Sequence, residues 1–142
     1  MPFINVWVHL VWTTKNRHPF LTKDIRPQVF VHIKENAKAK GIYLDLINGY
    51  TEHVHCLISL NANQDIATIA GLLKGESSHW INKNKLTKAK FGWQEEYYAG
   101  SVGHSQVEMV RRYIRNQEKH HQKTTFQEEF DEFINQFGLK QG

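Results

Sequence analysis

The sequence contains few of the residues that stabilise small secreted folds or mark a membrane protein. Its 142 residues include one cysteine, Cys56, so no disulfide can form within the chain and a reducing, cytoplasmic location is expected. No apolar run approaches the ~20 residues that span a bilayer, and residues 1–5 lack the basic segment of a signal peptide. There is also no P-loop. We therefore expect a cytoplasmic protein with no membrane partner and no nucleotide cofactor.

Repeats, Pro- or Gly-rich linkers and low-complexity segments are also absent. A composition that is 40% hydrophobic and 23% charged is typical of a globular protein, so residues 1–142 are expected to form one domain. The net charge of +4 and the sequence pI of about 9.2 favour a polyanionic partner such as nucleic acid.

Alternating apolar residues predict four strands, at residues 3–14, 42–47, 53–60 and 93–102. The first strand places Val8, Leu10 and Trp12 on one face and Trp7 and His9 on the other. The pair Asn48-Gly49 predicts a tight turn between the second and third strands. The glycines at 100 and 103 place the fourth strand at an edge or at a bulge.

Four helices are expected between and after these strands. The first is capped by Thr22 or Asp24 and the second by Asn63 or Asp65. Capping boxes begin the last two helices at Ser105 and Thr125. The final helix carries an acidic face that is expected to be solvated, and this face consists of Glu128, Glu129, Asp131 and Glu132. The order of elements predicts an α+β, ferredoxin-like (RRM-like) sandwich with a mainly antiparallel sheet, in which the first and third strands are central.

Two histidines lie on one face of the third predicted strand. His53 and His55 are two residues apart, so their side chains point the same way. Two imidazoles on one face form half of a metal site, although such a pair is more often structural. On the helix that follows Ser105, Tyr113 and Gln117 lie one turn apart on a stripe that becomes polar toward His121. A stripe of this kind faces a site more readily than a core.

Basic residues cluster in two places that are candidates for contact with DNA. They are Lys15 and Arg17 in the loop after the first strand, and Lys83, Lys85, Lys88 and Lys90 before Trp93, with Lys74 on the second helix as a further candidate. A solvated loop would have the same composition.

The combination of these motifs resembles the single-tyrosine transposases of the HUH endonuclease superfamily, and more closely the small IS-two-hundred-like transposases of bacterial insertion sequences. The resemblance covers nearly the whole chain. Its segments are His53-Val54-His55, Val11-Trp12-Thr13-Thr14-Lys15-Asn16-Arg17, Lys74-Gly75, Trp93-Gln94, Ser101-Val102 and Tyr113-Ile114-Arg115-Asn116-Gln117.

This resemblance implies a transposase that cuts and rejoins single-stranded DNA through a 5′-phosphotyrosine intermediate. It implies Tyr113 as the nucleophile and a Mg²⁺ or Mn²⁺ ion held by His53, His55 and Gln117. It also implies a homodimer and a DNA partner with hairpin ends.

Two other functions fit parts of the sequence. A non-catalytic module that binds single-stranded nucleic acid would explain the basic loops and the aromatic residues, but not the His and Tyr/Gln pairs. A histidine-triad nucleotide hydrolase would require a third histidine where this chain has Leu57.

Overall fold

The computed structural model describes residues 2–121 and 125–137, and these residues form four strands and five α-helices. The strands are β1 (Val6–Thr13), β2 (Tyr43–Gly49), β3 (His53–Leu60) and β4 (Tyr98–Val102). The helices are α1 (Arg26–Ala39), α2 (Ile66–Lys83), α3 (Val107–Arg115), α4 (Gln117–His121) and α5 (Phe126–Phe137). Among these described residues, no helix is long and apolar enough to cross a membrane.

The four strands form one sheet in the order β2-β3-β1-β4, and every neighbouring pair is antiparallel. The predicted α+β fold is therefore confirmed, with the first and third strands at the centre and the fourth at an edge. Because β1 and β3 pair along their whole length, their side-chain alternation fixes what each face of the sheet carries.

One face of the sheet packs on α1 and α2 and forms the larger core. Leu10, Trp12, Val54 and Ile58 are buried there. The opposite face packs on α3, where Leu57 belongs to a smaller core with Val107, Val110 and Ile114. His53 and His55 alternate with the residues of the larger core, so they lie on the α3 face.

The predicted turn at Asn48-Gly49 is wrong, because both residues belong to β2 and pair with His55 and Val54. The chain turns at residues 50–52 instead, where the Tyr50 N–H donates to the His53 carbonyl at 3.0 Å. A Cβ at Gly49 would lie 2.1 Å from the same carbonyl oxygen, so this glycine permits close backbone approach rather than a turn.

The Asn48 side chain has a separate role. Its Nδ2 donates to the carbonyls of Ile114 and Arg115 at 3.0 and 3.1 Å. These carbonyls belong to the last turn of α3, where the regular helical hydrogen-bond ladder ends. Asn48 thereby fixes the end of the helix that carries Tyr113.

The fourth strand is shorter than predicted. It begins at Tyr98 rather than at Trp93, which makes only an isolated bridge with Thr14. The Trp93 indole packs against Trp12 and donates to the Ser77 hydroxyl at 2.9 Å, so the segment before β4 is held by side chains instead of by a strand ladder.

Helix starts follow the sequence signals in two of four cases. Asp65 caps α2 by accepting from the Thr68 N–H at 2.8 Å, and Thr125 accepts from the Glu128 N–H at 3.2 Å. The cap predicted at Ser105 is wrong, because a short 3-10 turn over His104–Gln106 precedes α3. The helix α1 begins after Ile25 without a side-chain cap, because the hydroxyl of Thr22 donates to the Asp24 carboxylate instead.

The single helix predicted to carry both Tyr113 and Gln117 is divided at Asn116. Helix α3 ends at Arg115, and Gln117 is the first residue of the short helix α4. The Asn116 N–H still donates to the Arg112 carbonyl at 3.1 Å, so the break is small.

Candidate active site

The two histidines of β3 lie side by side and are completely enclosed. The ring centroids of His53 and His55 are 5.1 Å apart, and the residues are 0% and 1% exposed. The Nε2 atoms of both rings point away from the sheet, toward residues of the C-terminal helices. The strand period of two therefore produces the paired imidazoles that the sequence predicts.

Gln117 and Tyr113 meet this pair from the opposite side. The Gln117 Oε1 lies 3.0 Å from the His53 Nε2, and the amide is completely buried. The Tyr113 ring lies edge-on to the His55 ring, with centroids 5.5 Å apart. The structure thus brings together all four residues that sequence reasoning selected, and the break at Asn116 does not separate them.

A fifth member of the site, Glu129, was not expected. The predicted solvated position is wrong for this residue, because its side chain is only 3% exposed. Its Oε1 lies 2.9 Å from the His55 Nε2 and 3.4 Å from the His53 Nε2. Its Oε2 lies 3.0 Å from the His121 Nε2 and 3.3 Å from the His120 Nε2. No local pattern could have linked Glu129 to His55, which lies 74 residues earlier, or to its neighbour His53.

The Nδ1 atoms of His53 and His55 also have hydrogen-bond partners. The His53 Nδ1 lies 2.6 Å from the Glu52 carboxylate, and the His55 Nδ1 lies 2.8 Å from the His9 Nε2. When Nδ1 carries the proton in each ring, Nε2 presents its lone pair to the site. Glu52 and His9 were not selected from the sequence, although the alternation in β1 places His9 on the correct face.

Burial and charge act in opposite directions on the ionisable groups. Burial lowers the pKa of His55 to about 4, against the opposing effect of Glu129. For His53, burial is outweighed by the hydrogen bonds with Glu129 and Glu52, which raise its pKa to about 9. Burial alone would raise the pKa of Glu129, but hydrogen bonds from the surrounding imidazoles hold it well below its usual range. A carboxylate and an imidazolium thus stand together in the enclosed site.

The donor set fits a divalent cation. Two imidazole nitrogens, an amide oxygen and a carboxylate oxygen form a mixed N/O set without thiolate, which suits Mg²⁺ or Mn²⁺. Adjacent ligands of an octahedral ion at about 2.1 Å lie about 3.0 Å from one another. The distances between neighbouring donor atoms here are 2.9 to 3.4 Å. An ion at their centre would displace protons from the same Nε2 atoms.

Tyr113 is less enclosed than the other members of the site. It is partly buried, whereas both histidines, Gln117 and Glu129 are buried. Burial and the negative charge of Glu129 raise the pKa of the Tyr113 phenol above its ordinary value, so without a cation the phenol stays protonated at neutral pH.

The candidate DNA contacts divide into three groups. Lys15, Lys74 and Lys90 line an open groove of about 460 Å³ together with Trp93. Three of the predicted lysines, Lys83, Lys85 and Lys88, do not line this groove. Arg17 points toward α5, where its Nη1 donates to the Gln127 Oε1 at 3.0 Å.

Comparison with known proteins relates this geometry to one family. Residues 3–117 match the model of the family described as "Transposase IS200 like". The ISDra2 transposase TnpA of Deinococcus radiodurans is 25% identical over 114 residues, which cover 77% of this chain and 81% of that protein.

Two solved structures share the fold. One is the 1.90 Å crystal structure of a protein of Deinococcus radiodurans R1 described as a transposase, with a TM-score of 0.66, 22% identity and coverage of 82% of this chain and 93% of that chain. The other is a REP-associated tyrosine transposase bound to a REP hairpin, with a TM-score of 0.65, 15% identity and coverage of 85% and 71%.

The fold is therefore that of the single-tyrosine transposases. The chain itself belongs to the IS200-like transposase family, whose model matches well over half of its length. This is the IS-two-hundred-like family that the sequence motifs resemble. This membership confirms the transposase prediction and supports a DNA-cleaving enzyme over a non-catalytic binding module.

Proposed function

We propose that this transposase cuts and rejoins single-stranded DNA through a covalent 5′-phosphotyrosine at Tyr113, with Mg²⁺ or Mn²⁺ held by His53, His55 and Gln117. One observation carries the proposal: a tyrosine that is only partly buried stands against an enclosed set of two imidazoles and an amide oxygen. Excision and insertion of an insertion sequence or a related repeat element is the corresponding biological reaction.

In the proposed cleavage step, the Tyr113 Oη forms a bond to phosphorus, and the bond from phosphorus to the 3′ oxygen breaks. The phenol loses a proton and the departing 3′ oxygen gains one, so no external reactant is needed. Since the covalent link keeps the energy of the phosphodiester, the reverse attack by a 3′-hydroxyl rejoins DNA without a nucleotide. The bound cation would withdraw charge from the non-bridging phosphate oxygens and favour in-line attack.

The burial pattern indicates the side from which DNA approaches. The ligand residues are covered by α5, while Tyr113 is partly exposed. A strand that reaches the Tyr113 hydroxyl from this side would bring the phosphate that is attacked next to the cation. Binding of a REP hairpin by the structurally similar REP-associated transposase supports a substrate with hairpin ends.

The polarity of the covalent product tests the proposed function. Single-stranded DNA of the element's end is labelled on either side of the cut and incubated with the protein and Mn²⁺. We expect the label on the 3′ side to remain with the protein after boiling in SDS, and the label on the 5′ side to be released as a free 3′-hydroxyl fragment. The opposite pattern, or cleavage without any adduct, would refute the 5′-phosphotyrosine mechanism.

We further propose that the groove lined by Lys15, Lys74 and Lys90 holds the DNA backbone. Lys74 is partly engaged, because its Nζ donates to the carbonyls of Glu95 and Glu96. Lys15 and Lys90 are exposed, so they are the better targets for substitution.

Replacing Lys15 and Lys90 together by Ala should weaken binding of single-stranded DNA and reduce its salt dependence. Each lost phosphate contact lowers the slope of log K against log salt by about 0.7. Fluorescence anisotropy between 50 and 300 mM salt measures this slope. Lys38→Ala, on the exposed side of α1, is the matched control and should leave it unchanged. An unchanged slope in the double variant would place the DNA elsewhere.

A homodimer joined at β4 completes the proposal, because exchange between two DNA ends requires two nucleophiles. Within the described part of the chain, no strand pairs with the outer edge of β4, so this edge can pair with a second copy. At and before the start of the neighbouring strand β1, Phe3, Ile4 and Val6 expose apolar side chains at 102%, 44% and 44%. Sedimentation equilibrium at micromolar concentration should give twice the chain mass of 16.7 kDa, and the mass of a single chain would disprove the dimer.

A further inference from the structure

We propose that Glu129 is a fourth ligand of the divalent cation, supplied by the C-terminal helix α5. This inference rests on the proposed function, because it assumes the ion at His53, His55 and Gln117. Metal binding and the docking of α5 would then be one coupled event, so α5 would be part of the active site instead of a packing element outside it.

The first argument is the position of the carboxylate. Glu129 is 3% exposed, and a buried carboxylate requires compensating partners. Its two oxygens have separate environments: Oε1 faces His53 and His55, and Oε2 faces His121 and His120. The Oε1 atom therefore lies against the same Nε2 atoms that the cation would use.

The second argument is that the anchoring of Glu129 repeats the anchoring of the two histidine ligands. His53 presents Nε2 to the site while Glu52 holds its Nδ1, and His55 does the same with His9. Glu129 presents Oε1 while His121 holds its Oε2 at 3.0 Å. Metal ligands are commonly oriented in this way, with the atom that does not bind the ion fixed by an outer hydrogen bond.

The third argument is that α5 is seated by contacts that do not involve Glu129. The helix is capped by Thr125, and Phe126 lies against the His53 ring with centroids 4.7 Å apart. The Arg17 guanidinium lies 4.9 Å from the centroid of the Phe126 ring and bonds to Gln127. These contacts orient the next turn of α5 toward the two histidines. The position of the Glu129 carboxylate therefore does not depend on charge alone.

The rival explanation is that Glu129 only neutralises an imidazolium in the metal-free protein. In that case an incoming ion would displace the His53 proton, and Glu129 would lose one charged partner while keeping His121. The helix α5 would then be held less tightly. A ligand predicts the reverse, because the ion would hold α5 more tightly. Metal affinity and the protection of α5 therefore separate the two explanations without any measurement of activity.

Calorimetric titration of the full chain with Mn²⁺, without DNA, is the first test. We expect Glu129→Gln to bind at least about tenfold more weakly than wild type, since the carboxamide keeps the shape but loses the charge. Glu128→Gln, an exposed neighbour with the same change in charge, is the matched control and should bind like wild type. Wild-type affinity in Glu129→Gln would overturn the inference.

His53→Ala distinguishes failure of this inference from failure of the proposed metal site. Loss of Mn²⁺ binding in His53→Ala combined with normal binding in Glu129→Gln would reject only the role of Glu129. Normal binding in both variants would reject the metal site itself. A stoichiometry of one ion per chain is expected, whereas two ions would make His120 and His121 ligands and contradict their anchoring role.

Hydrogen exchange of the wild-type chain provides a test that does not depend on a folded variant. Mn²⁺ should slow exchange of the α5 amides, because a ligand on this helix is held only when the helix is docked. Faster or unchanged exchange in α5, with slower exchange in β3 and α4, would show that the ion binds without Glu129 and would overturn the inference.

Discussion

Tyr113→Phe should fold and bind single-stranded DNA like wild type but form no covalent adduct. The ring packs against His9, His55 and His120, and phenylalanine preserves these contacts. Only the hydroxyl is lost, and with it the proposed attacking atom. We expect adduct formation and strand transfer to fall by about 10³-fold or more, as for removal of a covalent nucleophile. Denaturing gels with labelled DNA measure the adduct, and anisotropy measures binding.

Tyr97→Phe and Tyr98→Phe are the matched controls for this substitution. Both tyrosines are partly buried like Tyr113, but Tyr97 packs against the core on the α1 and α2 face, and Tyr98 belongs to β4. Each variant should retain the adduct. If Tyr113→Phe still forms an adduct, or if a control variant loses it, the nucleophile has been assigned to the wrong residue.

His55→Ala should abolish cleavage while leaving most of the affinity for single-stranded DNA. The substitution removes one imidazole ligand of the proposed metal site and leaves a cavity in place of a ring that is 1% exposed. Phosphate affinity depends mainly on lysine and arginine side chains, which are untouched. Cleavage in Mg²⁺ and in Mn²⁺ should both be lost, and Mn²⁺ affinity should fall with them. His53→Ala should behave in the same way, and Gln117→Ala should be milder because water, which is also a neutral oxygen donor, can replace its carbonyl.

A folded control is needed because His55 is buried beneath α3 and α5. Circular dichroism and DNA anisotropy establish whether His55→Ala keeps its structure. His79→Ala, on the exposed side of α2, removes an imidazole far from the site and should cleave normally. Normal cleavage in a folded His55→Ala would disprove the metal site.

The sheet could be predicted from the sequence because the alternation of side chains between the two faces of a strand is a local property. The period of two in β1 and β3 identifies which side chains share a face, and burial on both faces then requires helices on both sides. The same logic placed His53 and His55 together, and the four-residue spacing placed Tyr113 beside Gln117 despite the break at Asn116.

The remaining features of the site depend on tertiary packing that no local signal encodes. The pair Asn48-Gly49 has a sequence typical of a tight turn, but Gly49 is required by the close approach of the His53 carbonyl. Glu129 belongs to an acidic pattern that is typical of a solvated helix face. The helix α5 nevertheless docks so that the Glu129 side chain lies among imidazoles. His9 and Glu52 form hydrogen bonds with the Nδ1 atoms of His55 and His53, and these contacts are visible only in the folded structure.

The proposed tyrosine nucleophile is tested most directly by locating the covalent bond in the wild-type protein. The adduct formed with Mn²⁺ is digested with nuclease and trypsin and analysed by tandem mass spectrometry. Trypsin cuts after Arg112 and Arg115, so the proposed mechanism predicts a nucleotide on the tripeptide 113–115. Tyr97 and Tyr98 lie in a separate peptide, residues 91–111. A nucleotide on the 91–111 peptide, with residues 113–115 unmodified, would contradict the mechanism.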